Sequence, residues 1–446
     1  MKLFRKSILF LFLVSGVPSL TTSGQTTILK NVTVIDGTGN KPRTNQNVEI
    51  KADKIVSITD AKTATSKGAT VIDMTGKSIM PMVINSHGHL GNLKGTTTKR
   101  ENFTHENIER QLVQYEKYGI SAILSLGSDH AAIWNLRDSS RNGLLKGATI
   151  YTAGYGFGVA NGAPPVDYGM DDVLRPQSAA EVPAMMQKLA SLKPDMIKIW
   201  VDDLGGRSTK MEPAIYEAII REAHKHNIRV AAHLYYLEDA KKLVAAGLDV
   251  IAHSIRDKEV DDALLTEMKK KGVIYIPTLS LDEFAFSYGN QPEWINDPFF
   301  KNTLEPGVFE MITSKAYQDK TASAPNYQKN ISAFKTALIN VKKIYNAGIM
   351  IALGTDSGAN PIRPQGFSEH FEMGLLVQAG LTPLQAITIA TQNSAIFLKV
   401  NTQMGTLAQG KKANFIVLDK DPSENIKNTQ SIQSVWKNGK KVQDFQ

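Results

Sequence analysis

The chain contains no cysteine. A disulfide framework, a thiolate nucleophile and a zinc–thiolate site are therefore excluded, and any metal must be held by nitrogen and oxygen ligands. No glycine-rich phosphate turn follows the first strand-like run of the central region, which argues against a dinucleotide-binding open sheet. Charge of one sign is not clustered. The formal net charge of +8 is spread along the chain and often paired locally, as in REAHKHNIR and RDKEVDDALLTEMKKKG. Such runs read as solvated helix faces, and no nucleic-acid partner is expected. The N-terminal apolar stretch, SILFLFLVSGV, is too short to span a bilayer comfortably. With the basic leader MKLFRK before it and the small residues of TTSGQ after it, it has the layout of a secretory signal peptide. We expect that peptide to occupy 1–24 and to be cleaved near Gly24. Loss of Lys2, Arg5 and Lys6 would lower the net charge to +5. No cysteine follows the apolar stretch, so a bacterial lipid anchor is excluded. The mature chain is expected to be secreted, in a periplasm-like space, without stable membrane insertion.

What is present is an ordinary globular composition, 42% apolar and 21% charged over 446 residues, enough for a large core and a smaller module. From Thr27 to about Met80 the text is strand-like (TILKNVTVID, QNVEIKADKIVSI, ATVIDM), broken by turn residues. The same texture returns at the end in ANFIVLDKDP and SIQSVWKNGKKV. The two ends, 25–80 and 399–446, are expected to build one small composite β-sandwich. Between them, over 81–398, eight apolar strand-like runs alternate with amphipathic helical runs: MPMVINSH, ISAILSLG, ATIYTAGY, DMIKIWVD, IRVAAHL, DVIAHS, VIYIPTL and IMIALGTD. That pattern predicts an α/β fold, a (β/α)8 TIM barrel. The segment 282–335, rich in aromatics and proline, is longer than an ordinary connection and is expected to cap the barrel mouth.

A barrel strand is covered by helices outside and packed within, so a polar residue at its end needs a reason. The strand ends at one face surround the active site of such barrels. There stand His87 and His89 after the first strand, Lys198 on the fourth, His233 on the fifth, His253 on the sixth and Asp356 on the eighth. Residues two apart on a strand share a face, so His87 and His89 can both point to the axis. His224 and His226 have the same spacing but lie in a helical run, where two residues rotate by about 200°, and we assign them to a wet helix end. A single strand-end histidine is more often a satisfied polar group than a ligand. Four histidines, a lysine and an aspartate at the same end of five strands make that reading weak. Imidazole and carboxylate suit zinc and its neighbours; manganese, iron and cobalt fit the same donors.

These residues, with LLVQAGLTPLQAITIATQNSA and GTLAQGKKANFIVLDKDP, resemble the amidohydrolase superfamily, in its imidazolonepropionase-like and prolidase-like branch, from about Thr27 to Val442. The resemblance implies two divalent metal ions, with His87, His89 and Asp356 on the first and His233 and His253 on the second. It also implies that Lys198, carboxylated by CO2, bridges them. One departure concerns the second strand. Similar proteins carry an arginine in a T-V-R-D pattern, whereas this chain reads ISAILSLGSDH, with Ser125 and Leu126 in that region. Asp129 and His130 follow and are candidates to reshape the pocket.

The chemistry is readable from the ligand types. A hydroxide shared by two cations attacks a carbonyl carbon, and Asp356 passes its proton to the leaving nitrogen. The expected function is hydrolysis of a C–N amide bond in a cyclic amide, dipeptide or N-acyl amino acid. The alternative is a lactonase, esterase or phosphotriesterase activity on the same binuclear site. Tyr155, Tyr235, Tyr236 and Arg363, with Arg207 as a similar case, are candidate substrate contacts in the loops after the strands. The partner is a small molecule, and a homo-oligomer is compatible with the chain.

Overall fold

Apolar runs four to six residues long with no polar alternation become strands covered on both faces. In the computed structural model, which describes residues 25–166 and 169–445, Val83–Gly88, Ile120–Ser125 and Ile197–Trp200 are buried at every position. The expected signal peptide, 1–24, lies outside the described residues. Among those residues no helix is long and apolar enough to cross a membrane.

The first strand pairs in parallel with the second (Ile84↔Ala122) and the second with the third, Thr149–Thr152 (Ile123↔Ile150). The fourth pairs with the fifth, Val230–His233, the fifth with the sixth, Val250–Ala252, and the sixth with the seventh, Ile274–Ile276. Three looser joints complete the ring. Phe157 bridges to Ile199, with the Phe157 N–H donating to the Lys198 carbonyl at 2.7 Å. Tyr275 bridges to Ile351, and Gly88 to Ser357, where the Ser86 N–H donates to the Leu353 carbonyl at 2.7 Å. The eighth run, 350–357, thus closes against the first strand, and the (β/α)8 expectation is borne out. Gly354 makes that closure close-fitting, since a Cβ there would stand 2.7 Å from the His87 Cβ.

The covering helices show why each sequence run became one. In His105–Lys117, Thr104 accepts the Asn107 N–H as N-cap, and Ile108, Leu112 and Tyr115 form one buried stripe at spacings of three and four. In Asp262–Lys271, Asp261 caps the start and Gly272 ends the helix at φ 67°.

The two chain ends meet in one sheet. Thr26–Val34 pairs antiparallel with Arg43–Lys51, which pairs with Lys54–Asp60. Its first half also pairs with Thr70–Asp73 and its second half with Ser78–Pro81. Ser78–Pro81 then pairs with Phe415–Leu418 from the other end of the chain (Ile79↔Val417), which continues to Ile432–Lys437 and Lys440–Asp444. Leu29, Val48, Ile50, Phe415 and Trp436 fill a core separate from that of the barrel. Each such side chain stabilises the composite β-sandwich by about 2 kcal/mol on burial.

The segment 282–335 is helical. Its aromatics pack sideways on the helix Phe367–Gln378, with Trp294 5.2 Å and Phe284 5.4 Å from Phe371 between ring centroids. Its residues Pro325, Asn326, Lys329 and Asn330 border a chamber at the strand ends.

Candidate metal centre

The six candidate ligands gather at the carboxyl end of the ring. Ligand atoms of His87, His253 and Asp356 lie within 4.8 Å of one another. The rings of His87 and His253 are 4.5 Å apart, and those of His253 and His233 4.4 Å. His89 Nε2 is 2.9 Å from Asp356 Oδ1, and His87 Nε2 is 3.3 Å from the same oxygen. Lys198 is 1% exposed, with its ammonium nitrogen 5.4 Å from the centre of the Trp200 ring.

The backbone is bent to make this cluster. His253 (φ 79°) and Asp356 (φ 58°) both occupy the left-handed region, costly for residues with a Cβ. So do Thr278 (φ 52°) and Ser128 (φ 66°). The Thr278 hydroxyl lies 2.9 Å from His253 Nδ1, and the Ser128 hydroxyl 3.2 Å from His89 Nδ1. Four strand ends therefore turn sharply to deliver two candidate ligands and the partners of two.

Behind the cluster, Glu369 ties the first strand to the eighth. Its Oε1 accepts from the Asn85 amide (2.7 Å), the Thr355 hydroxyl (2.8 Å) and the Ser357 hydroxyl (2.7 Å). Its Oε2 accepts the Gly366 N–H at 2.7 Å. Asn85 in turn accepts the His87 N–H at 2.9 Å. The ring orientation of His233 is set by Asp202 Oδ2, 2.8 Å from Nε2. The Arg363 guanidinium is ion-paired with Asp356 Oδ2.

Electrostatics keep these groups in metal-binding form. Burial, then the Lys198 charge, lowers His87 to about 3. Burial, then the neighbouring imidazoles, holds His253 well below its ordinary range. Burial also lowers His233, more than Asp202 raises it. All three are neutral imidazoles at ordinary pH, with lone pairs free to coordinate. For Asp356 burial pushes upward, but Arg363 and the two histidines outweigh it, and the carboxyl stays well below the usual range. Burial brings Lys198 down to about 7, against a smaller opposing pull from Asp356. The donor set fits divalent cations. His87 Nδ1 is buried without a hydrogen-bond partner, and its Nε2 has only the long 3.3 Å contact to Asp356, a cost that coordination would remove.

The cluster opens into a cavity of about 570 Å3 lined by His89, Lys198, His233, His253 and Asp356 together with Trp200, Asp202, Arg207, Arg256 and Arg363. His87 lies beneath its floor, fully buried. Tyr235 and Tyr236 do not line this cavity; they border an adjoining one. Tyr155 and His130 line neither. Tyr155 follows Gly154 (φ 64°) and precedes Gly156 (φ 72°), and this turn sets its hydroxyl 3.2 Å from the Trp134 indole N–H. His130 is occupied by Asp172 (2.8 Å) and Asn92 (3.1 Å). As expected of a wet helix end, His224 is paired with Asp249 and stands apart from the centre. Sequence reasoning missed Asp202, Arg256 and Glu369. Asp202 had a readable signal, an acidic pair directly after the Lys198 strand.

Residues 78–442 match the Amidohydrolase family model. Ochratoxinase of Aspergillus niger is 29% identical over 237 residues, 52% of this chain and 41% of that protein, so the chain spans less than half the length of that curated relative. Imidazolonepropionase of Desulfotalea psychrophila is 35% identical over 98 residues, 21% of this chain and 23% of that one. Among solved structures, a Xaa-Pro dipeptidase with bound methionine in its active site superposes with a TM-score of 0.74 at 23% identity, covering 94% of this chain and 100% of that one. These relatives agree with the imidazolonepropionase-like and prolidase-like branch. One family model thus runs from the last N-terminal sandwich strand, through every strand end that carries a candidate ligand, into the C-terminal strands, and on that ground the chain belongs to the amidohydrolase family.

Proposed function

We propose that this protein is a metal-dependent hydrolase of C–N amide bonds in cyclic amides, dipeptides or N-acyl amino acids. The observation that carries the reading is the His87 imidazole. It is fully buried, its Nδ1 has no hydrogen-bond partner, its Nε2 has only Asp356 Oδ1 at 3.3 Å, and it lies within ligand range of His253 and Asp356. His87, His89 and Asp356 would hold one divalent cation, and His233 and His253 a second. Zinc suits these donors, and metal availability decides among its neighbours. Lys198 would bridge the two as a carbamate. Its neutral amine adds to CO2, forming a C–N bond and releasing one proton, and burial favours that neutral amine. Bound divalent cations supply acidified water and polarise a carbonyl oxygen.

The remaining work falls to the chain's own groups. Asp356 accepts the proton of the attacking water and delivers it to the leaving nitrogen, which departs as an amine. Arg363 on the other carboxylate oxygen keeps Asp356 ionised and limits its rotation. Asp202 fixes the tautomer and orientation of His233. Trp200, buried against Gly127 and Gly156, keeps bulk water from the side where Lys198 stands.

The test is a parallel assay of metal-loaded protein on dipeptides, N-acyl amino acids, cyclic amides, lactones and aryl phosphate esters. The reading predicts turnover of an amide, abolished by chelation and regained with added divalent metal. Turnover confined to lactones or phosphate esters contradicts it. Export through the N-terminal segment is part of the same proposal and is tested by N-terminal sequencing of the mature chain.

A further inference from the structure

We infer that the substrate is a two-armed amide, one arm of which is a planar group ending in a carboxylate held in a second chamber against Tyr235 and Lys329. The inference rests on the hydrolase reading for the scissile bond, and on the second chamber for the arm. That chamber, about 460 Å3, adjoins the cavity over the metal centre and shares four wall residues with it: Asp202, Leu204, Arg207 and Arg256. Either volume alone suits a small ligand. A substrate filling only the inner one would leave the outer without an occupant.

The outer wall is built to receive a flat anion. Tyr235 and Tyr236 stand edge to face, with centroids 4.9 Å apart. Tyr236 is fixed by its hydroxyl, which donates to Asp203 at 3.0 Å. The Arg256 guanidinium lies 4.6 Å from the Tyr235 ring centre and is immobilised from behind. Its Nη1 donates to the Ser254 carbonyl at 2.7 Å, and its Nε is 3.0 Å from Asp282. Asp282 neutralises that cation, so Arg256 supplies a rigid planar face and little net field. The free positive charge comes from elsewhere. Lys329, exposed on the helix Tyr327–Asn346, stands with its ammonium 5.3 Å from the Tyr235 ring centre, and Arg207 faces both chambers. Among the described residues neither Lys329 nor Arg207 is ion-paired with a carboxylate. The one acid on the shared wall, Asp202, is turned to His233. A planar arm packs beside these cation-covered tyrosine rings, and a carboxylate at its end meets the ammonium.

The test uses a matched set of amides with one arm constant. The other arm carries a phenyl, 4-carboxyphenyl or 4-(aminomethyl)phenyl group, placed once on the acyl side and once on the amine side. In one of the two series the metal-loaded enzyme should favour the carboxylate over plain phenyl about fivefold in kcat/KM, through KM, and less at high salt. Lys329→Glu, on a solvated helix face, should reverse the order so that the aminomethyl arm is favoured. An order unchanged by Lys329→Glu in both series overturns the inference. Should metal-loaded wild type cleave no amide, the hydrolase reading fails by itself, and the chamber is judged by calorimetry. Tighter binding of 4-carboxybenzamide than benzamide, reversed by Lys329→Glu, upholds it; equal affinities overturn it.

Discussion

Asp129 offers a test of the barrel mouth that does not depend on any metal. It is 1% exposed, faces no cation, and is met by two hydroxyls, Ser125 Oγ at 2.6 Å and Thr152 Oγ1. Burial raises its carboxyl from 3.8 to about 8, and the two hydroxyls offset only part of that. The folded protein therefore keeps this proton over a range in which the unfolded chain has lost it. Stability from this group is fully present below the unfolded value and is lost as pH rises toward the folded one. The slope in between is at most about 1.4 kcal/mol per pH unit. From about pH 5.5 to about pH 7.5 the loss assignable to Asp129 is then about 2–3 kcal/mol. Asp129→Asn keeps the shape and removes the ionisation, at a cost of about 1 kcal/mol for an amide donor facing two hydroxyls. The variant should already be about 1 kcal/mol more stable than wild type at about pH 5.5, with the advantage growing to about 4 kcal/mol at about pH 7.5. Urea unfolding of both proteins across that range, at constant ionic strength, gives the difference directly. A difference that does not change with pH refutes the reasoning.

Asp356→Asn should keep the far-ultraviolet circular dichroism of wild type while lowering kcat by about 100-fold or more, because the amide cannot carry the proton. Turnover at the wild-type rate would remove the shuttle role. Lys198→Ala should lower the metal bound per chain measured by elemental analysis, and added short carboxylic acids should partly restore it; an unchanged metal content counts against bridging. Glu369→Gln should destabilise by about 2 kcal/mol, since its amide nitrogen meets the Gly366 N–H. It should also weaken metal affinity by about 10-fold. Thermal unfolding and a competitive metal titration read the two effects, and loss of neither shows that the tie between the first and eighth strands does not position His87 and Asp356.

Much of this architecture was legible because it rests on local pattern. Eight short apolar runs alternating with amphipathic helical ones read as barrel strands, and histidines two apart on one of them share a face. The same parity separated His87 and His89 from His224 and His226. What escaped reading depends on contacts distant in sequence. Glu369 reaches Asn85 across 284 positions, and nothing in SEHFEMG marks its carboxylate as the tie between two strands. The substrate candidates fared by loop geometry. Tyr155 was diverted by left-handed glycines on either side, and His130 by Asp172 across a loop. Tyr235 and Tyr236 were displaced only as far as the neighbouring chamber. The segment 282–335 was expected to cap the barrel because it is longer than an ordinary connection and rich in aromatics and proline. Its rings pack on Phe367 and Phe371, a partner that composition does not reveal, while Asn326 and Lys329 border the outer chamber.

The central claim is that six side chains on five strands hold divalent cations that the reaction requires. Anomalous diffraction from crystals of purified protein, recorded at a metal absorption edge and paired with an amide assay on the same preparation, tests it most directly. The account predicts two anomalous peaks per chain, one beside His87, His89 and Asp356 and one beside His233 and His253, with continuous density joining them to Lys198. Amide turnover by crystals or solution free of any divalent metal at these residues would contradict it.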